Sequence, residues 1–451
     1  MEKLYKDARN LIDKVIQANL PGQAVRNALK NKTFSGNIYL LAIGKAAWTM
    51  AHSAWKELGD KIKKGIVITK YNHSFGDIPG LEIIEAGHPI SDENSIAATE
   101  KAVSMAQNLS EGDELLFLVS GGGSALFEKP LPGLTLLDIN KINSQLLACG
   151  ADIIEINMIR KRLSSVKAGR FAQICAPAKV FTVVLSDVLG DRLDSISSGP
   201  ASPDLSTVEE VLSIVEKYKL NISKTSDPVC VNEYLNKETP KSLDNTQTVI
   251  TGSVRTLCNS AALIASEMGY TPHILCTEMN CEAREAGRMI SAIAKQIDKA
   301  ASYNEASGIY SESQRSEASN TENDILSEVA SASAFKRPCA IIFGGETVVT
   351  VKGDGKGGRN QELVLSAAEG IEGIENLLIF SIGSDGTDGP TDAAGGIIDG
   401  GTIKRLKEKG IKLQETLNNN DSYKGLSAAD ALIITGPTGT NVNDLTVILC
   451  G

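Results

Sequence analysis

Ile38-Tyr39-Leu40-Leu41-Ala42-Ile43, closed by Gly44-Lys45-Ala46-Ala47, is the stretch that decides the fold. An unbroken apolar run of this length suits a strand buried on both faces, as in a parallel sheet, and Gly44 ends it. A helical pattern over 46–57 follows at once. Similar runs recur at 65–69, 81–85, 115–119 and 179–185, and most intervals carry helical spacing, as at 92–108 and 138–150. Before the first strand, helices are predicted at 4–19 and 23–30, joined through Pro21-Gly22. Strand alternating with helix at this spacing implies an α/β sandwich on a largely parallel sheet.

Periodicity weakens over 220–246, which places a domain boundary there. A second α/β series follows, with strands at 247–251, 272–276, 340–343, 347–352, 376–382, 431–434 and 445–449. Its helices are expected at 254–268, 282–299 and 360–369. The polar segment at about 303–324 has little to bury and reads as a mobile insertion. The expected domains are therefore 1–240 and 241–451.

A chain of 451 residues, 42% apolar and 22% charged with 41 glycines, has the profile of a soluble, loop-rich enzyme. Its 45 basic against 55 acidic residues leave a formal charge of −10, which argues against a broad nucleic-acid face. The eight cysteines are scattered without a CxxC, and HExxH is absent, so they read as reduced residues of a cytoplasmic protein. The first twenty residues mix charges among apolar positions at helical spacing, unlike a secretory signal. No apolar run is long enough for a bilayer. A monomer or homodimer acting on a small molecule, without nucleic-acid or membrane partner, is the expectation.

Ligands of open α/β sheets bind at the carboxyl ends of strands, and there the chain carries its unusual turns. Lys45 stands at the start of a helix, where its ammonium would add to N–H groups facing a phosphate, or would simply be solvated. Ser120-Gly121-Gly122-Gly123-Ser124 follows the run 115–119; three glycines permit an anion-binding nest, or a flexible turn. The stretch Asn157 to Arg170 holds Arg160, Lys161, Arg162, Lys167 and Arg170, either a solvated helix face or a site for a carboxylate or phosphate. Asp187 and Asp191 lie just past the run 179–185, as metal ligands, bases or capping residues. In the second half, Gly345-Glu346-Thr347, Gly357-Gly358-Arg359-Asn360-Gln361-Glu362, the turn from Ser384 through Asp385 and Asp388 to Asp392, and Gly436 to Asp444 repeat the same strand-end logic.

Glycine nests and cations suit nucleotide phosphates, while aspartates suit the Mg²⁺ that bridges them, so phosphoryl transfer uses all of these groups. GxxxxGK[ST], GxSxG and a GxGxxG at the first strand are absent. Of four histidines, His88, in a polar turn before Pro89, is the one that could shape the site or donate a hydrogen bond; His52, His73 and His273 read as helix-face, loop and structural residues.

Taken in order, Gly44-Lys45-Ala46-Ala47, Gly87-His88-Pro89, Ser120 to Ser124, the basic 157–170 stretch, Ser186-Asp187-Val188 with Gly190-Asp191, Gly345-Glu346-Thr347, Gly357 to Glu362, Asp385 to Gly389 and Thr440 to Asp444 resemble the glycerate 2-kinase family, whose C-terminal domain is of the MOFRL type. The resemblance covers nearly the whole chain. It departs at Ala168-Gly169-Arg170-Phe171, where two glycines, arginine and leucine are usual, and at Thr251 to Arg255. It implies two α/β domains: a Rossmann-like α/β/α sandwich with a mostly parallel sheet, then a mixed-sheet domain, with the active site in the cleft between them. The implied reaction is phosphorylation of D-glycerate at its 2-hydroxyl, dependent on ATP and Mg²⁺. Catalysis would fall to Lys45, Arg359 and Asp187, and the metal to Asp187 and Asp191. Contacts to substrate or phosphate would come from His88, Ser120, Gly121, Gly122, Gly123, Ser124, Arg160, Lys167, Arg170, Glu346, Asn360, Asp385, Asp388 and Asn441. Some relatives are labelled hydroxypyruvate reductases; an NAD(P)H-dependent reductase and a non-catalytic nucleotide- or acid-binding module are the alternatives.

Overall fold

The structure, a computed structural model, describes residues 1–307 and 335–451. The described chain forms two compact units, Pro21–Ser253 and Met1–Leu20 together with Val254–Gly451.

In the unit Pro21–Ser253, six strands lie in the order β3-β2-β1-β4-β5-β6, all parallel. They are β1 (Ile38–Ile43), β2 (Ile62–Lys70), β3 (Leu81–Ala86), β4 (Glu114–Val119), β5 (Lys179–Leu185) and β6 (Thr246–Gly252). The apolar runs of β1 and β4 are the central pair, which is why their residues are almost wholly buried. Chain order reverses between these two strands, and such a reversal opens a crevice at their carboxyl ends. Their register, Ile38 opposite Glu114 through Ile43 opposite Val119, makes both end at one level. Beneath the crevice Phe117, Phe127 and Phe171 pack with ring centroids 5.0, 5.4 and 6.2 Å apart. Burying each ring contributes roughly 1.5–3 kcal/mol. Helices Leu136–Ala148, Ile153–Leu163, Val208–Lys217 and Pro228–Leu235 share a smaller apolar core of their own. Thr135, Asp152 and Thr207 start the first three with reciprocal caps.

The expected boundary at 240 differs from this division. Strand β6 pairs with β5 as the last strand of the first sheet, so the break falls at 253/254. The N-terminal helix Glu2–Ala18 belongs with the second unit, where Tyr5 donates to Asp399 at 3.0 Å and Asp7 accepts from Tyr270 at 2.7 Å. Nothing in local sequence marks such a return.

The second unit carries β7 (Thr271–Met279), β8 (Cys339–Gly345), β9 (Leu377–Gly383), β10 (Gly395–Asp399), β11 (Leu432–Ile433) and β12 (Asp444–Cys450), in the order β11-β10-β9-β12-β8-β7. Only the β7–β8 pair is parallel, so the sheet is mixed as expected. Residues 347–352 form no strand: Val348 makes a single bridge to Glu282 before the chain enters a glycine-rich loop. Strand β10 and the short helices Thr402–Glu408, Leu413–Asn418 and Ser422–Ala428 were not anticipated. Helix Ala283–Ser307 runs past its expected end at 299, and the rest of the expected polar insertion, from 308, lies outside the described residues. The eight cysteines are free thiols, and among the described residues no helix is long and apolar enough to cross a membrane.

Candidate active site

Gly44 and Ser120 leave β1 and β4 side by side. Gly44 has φ +112°, and a Cβ there would stand 2.4 Å from the Ser120 carbonyl oxygen, so no side chain fits. The two turns are stitched together: the Lys45 amide donates to the Gly121 carbonyl at 2.8 Å and the Ala46 amide to Ser120 Oγ at 3.1 Å. The amides of Lys45 and Ala46 are thus spent on the partner turn and that of Ala47 on the Gly44 carbonyl at 3.2 Å, which leaves Trp48 and Thr49 as the amides of this helix start without an acceptor among the described residues. The amides of Gly121 and Gly122 likewise have no acceptor among the described residues and are open to an anion.

Three chemically active side chains converge on this glycine turn. A Cβ on Gly121 would lie 2.2 Å from Asp187 Oδ2, and one on Gly122 would lie 3.0 Å from His88 Nε2 and 3.3 Å from Lys45 Cγ. The Lys45 ammonium has no hydrogen-bond or carboxylate partner among the described residues. Burial lowers the His88 pKa, and the charges of Lys45 and Lys70 lower it further, so the ring is neutral near pH 7. The loop after β5 closes over the turn, with Asp191, Ser197 and Ser198 at φ +51°, +51° and +61°. Non-glycine residues in that region are uncommon and cluster at functional sites. Asp191 Oδ1 is enclosed without a hydrogen-bond partner.

The basic stretch is neither a solvated face nor a uniform ligand site. Lys161 is buried between Asp194 at 2.8 Å and Asp204 at 3.3 Å, and Arg162 holds the carbonyls of Ser206 and Lys237 at 2.9 and 2.8 Å. Lys167 donates to the Ser124 and Phe127 carbonyls, each at 2.9 Å, and its ammonium forms an ion pair with Glu128 Oε2 at 3.0 Å. Wholly buried, with two donors on backbone carbonyls and its charge paired with Glu128, Lys167 serves the fold here, which differs from the expected substrate contact. Burial lowers its pKa to about 8, against the pull of Glu128. Arg170 donates to the carbonyls of Lys161 and Ser164 at 2.5 and 2.8 Å. Arg160 reaches the Ser124 carbonyl at 3.0 Å.

In the second unit Arg359 opens helix Arg359–Ala367. Nε and Nη2 donate to Asp444 at 2.6 and 3.0 Å, Nη1 donates to Glu346 at 2.8 Å, and Asn443 donates to the other Glu346 oxygen at 3.0 Å. Burial pushes Asp444 up to about 6, the guanidinium opposing, while the carboxylates raise the Arg359 pKa. Asp388 accepts from the Asn360 and Gln361 amides at 3.2 and 2.8 Å and so caps this helix. Asn360 bonds Ser381 of β9 and Asp388, while Asp385 accepts from the Thr387 amide at 3.0 Å and Asn441 from the Asn443 amide at 3.4 Å, each within its own turn. Asp444, which grips Arg359, has one local signal in the sequence, an acid opening a largely apolar strand.

Family models match both halves of the chain: one described as a domain of unknown function, DUF4147, over residues 7–234, and the MOFRL family over 339–444. The D-glycerate 2-kinase of Thermotoga maritima is 48% identical over 446 residues, covering 99% of this chain and 98% of that one. The chain belongs to the glycerate 2-kinase family. Another of its members, the glycerate 2-kinase of Pyrococcus horikoshii, is 36% identical over 461 residues, 97% of this chain and 96% of that one. The crystal structure of the Thermotoga maritima glycerate kinase matches the fold with a TM-score of 0.88 at 48% identity, covering 100% of both chains. The family's two-part build therefore coincides with the two sets of side chains around Lys45 and Arg359.

Proposed function

We infer that this protein is a glycerate 2-kinase, moving the γ-phosphoryl group of ATP to the 2-hydroxyl of D-glycerate and yielding ADP and 2-phospho-D-glycerate. The observation that carries the mechanism is Lys45, whose side-chain stem lies against the glycine turn at the reversal of strand order and whose ammonium has no hydrogen-bond or carboxylate partner among the described residues.

Residues of this chain fit both cofactors. The Gly121 and Gly122 amides and the Lys45 charge suit phosphate oxygens. Asp191, with an enclosed oxygen lacking a partner, and Asp187 offer oxygen donors for Mg²⁺, an ion commonly held by one or two carboxylates plus phosphates. Among the described residues no three acidic, His or Cys side chains form a protein-only metal cage, consistent with that mode. Held by these residues, Mg²⁺ would supply positive charge to offset the negative charge that develops during phosphoryl transfer.

The chain's own groups do the rest. Lys45 stabilises the equatorial oxygens of the transferring phosphoryl group, and the turn amides keep it in line. Neutral His88 offers a ring nitrogen to the reacting hydroxyl and takes up its proton as the new O–P bond forms and ADP leaves. Arg359, its plane set by Asp444 and Glu346, is the second catalytic cation.

Incubating purified protein with ATP, Mg²⁺ and D-glycerate and reading products by ³¹P NMR tests this. A resonance matching authentic 2-phosphoglycerate is expected. Consumption of NADH or NADPH with hydroxypyruvate, and no phosphorylated glycerate, would turn the assignment to a reductase.

A further inference from the structure

Arg160 differs from the other cations of its stretch. It sits on helix Ile153–Leu163 and makes one hydrogen bond, to the Ser124 carbonyl. Its Nε is enclosed without a partner, and among the described residues no carboxylate lies within ion-pair range. Burial lowers its pKa, with only the more distant Glu128 opposing. Arg160 itself is only partly buried, and since burying a guanidinium without a counter-ion is costly, an incoming anion would offset that cost.

Polar groups around it fit such an anion. Asn157 lies one helical turn earlier on the same face, Ser198 Oγ donates to Asn157 Oδ1 at 3.1 Å, and Ser124 Oγ lies 3.0 Å from Ser198 Oγ. Ser124 ends the turn whose Gly122 lies beside Lys45. Phosphate chemistry belongs to the Lys45 end, and an α-hydroxy acid carries its carboxylate on the carbon that bears the reacting hydroxyl.

We propose that Arg160 receives the carboxylate of the acid substrate, with the Ser124 and Ser198 hydroxyls beside it and Lys167 beneath as a positioning residue for the Ser124 carbonyl. This rests on the kinase reading. Selectivity for an acid over a neutral polyol or amide would then reside in one side chain, since a planar fork pairs with a carboxylate through two parallel bonds.

Arg160→Gln and Arg160→Lys, each checked for an unchanged melting temperature, are compared with the parent enzyme on D-glycerate and on neutral D-glyceramide. Arg160→Gln is expected to raise the KM for D-glycerate at least about 30-fold, leaving the KM for ATP within about twofold. Arg160→Lys should fall between, and the rate with D-glyceramide should be nearly the same in all three. Equal losses on acid and amide would overturn the proposal, and so would a rise confined to the KM for ATP, which would put a nucleotide phosphate on Arg160. A parent enzyme that makes no phosphoglycerate would remove the kinase reading itself, a result visible before any variant is compared.

Discussion

A Cβ on Gly121 would stand 2.2 Å from Oδ2 of Asp187, so the carboxylate after β5 is pressed against the turn after β4. Gly121 does not have positive φ, so alanine meets no backbone penalty there, and the displaced atom is the end of a side chain. Gly121→Ala is expected to fold with a nearly unchanged melting temperature while kcat/KM falls about 100-fold through a misplaced carboxylate. The Mg²⁺ concentration for half-maximal rate should rise with it. Normal Mg²⁺ dependence in this variant would separate Asp187 from the metal.

Lys45→Ala removes a charge that has no partner among the described residues, so stability should hold while kcat drops about 10²–10³-fold. A second readout does not depend on turnover. Lys45 lowers the His88 pKa, so His88 should titrate at higher pH in the variant, as followed by proton NMR. An unmoved His88 titration would mean that the two groups do not share the site.

Lys167 and Glu128 are a buried pair, 0% and 1% exposed, under the same turn. Lys167→Met strands the carboxylate and should cost about 3–5 kcal/mol in denaturant unfolding. The double variant with Glu128→Gln should recover a large part of that loss, because the stranded charge is gone. A double variant no more stable than Lys167→Met would mean the two ammonium–carbonyl bonds carry the stabilisation instead.

How far the sequence could be read follows from the range of each interaction. Strands β1, β4 and β5 are short apolar runs, a local signal that also placed Lys45, Ser120–Ser124 and Asp187 at strand ends. Strand β10 begins Gly395-Gly396 and β11 has two residues, so neither carries a local pattern. The N-terminal helix joins the far half of the chain through contacts such as Tyr5 with Asp399, 394 positions apart, which no window can see. Charge type was legible along 157–170, but its use was not. Whether a cation is spent on carbonyls, as in Lys167, or left without a counter-ion, as in Arg160, depends on loops brought in by the sheet.

Asp444 and Arg359 set stability and activity in opposition as pH changes. Burial raises the Asp444 pKa from its ordinary 3.8 to about 6, so between those values the folded unit holds a proton that the unfolded chain has released. The stability contribution is complete below the lower value and is lost as pH rises through the upper one. Activity should run the other way, because only the ionised carboxylate grips Arg359 through two charge-assisted bonds. The expected profile of kcat/KM therefore has an acid limb near pH 6. His88 titrates on the acid side as well, so variants must assign the limb: it should persist in His88→Gln and vanish from the reduced activity of Asp444→Asn. In parallel, denaturant unfolding of Asp444→Asn should lose the fall in stability between pH 4 and pH 6.5 that the parent shows, within about 1 kcal/mol. An acid limb carried through unchanged into Asp444→Asn would release Asp444 from the mechanism and leave Arg359 positioned by Glu346 alone.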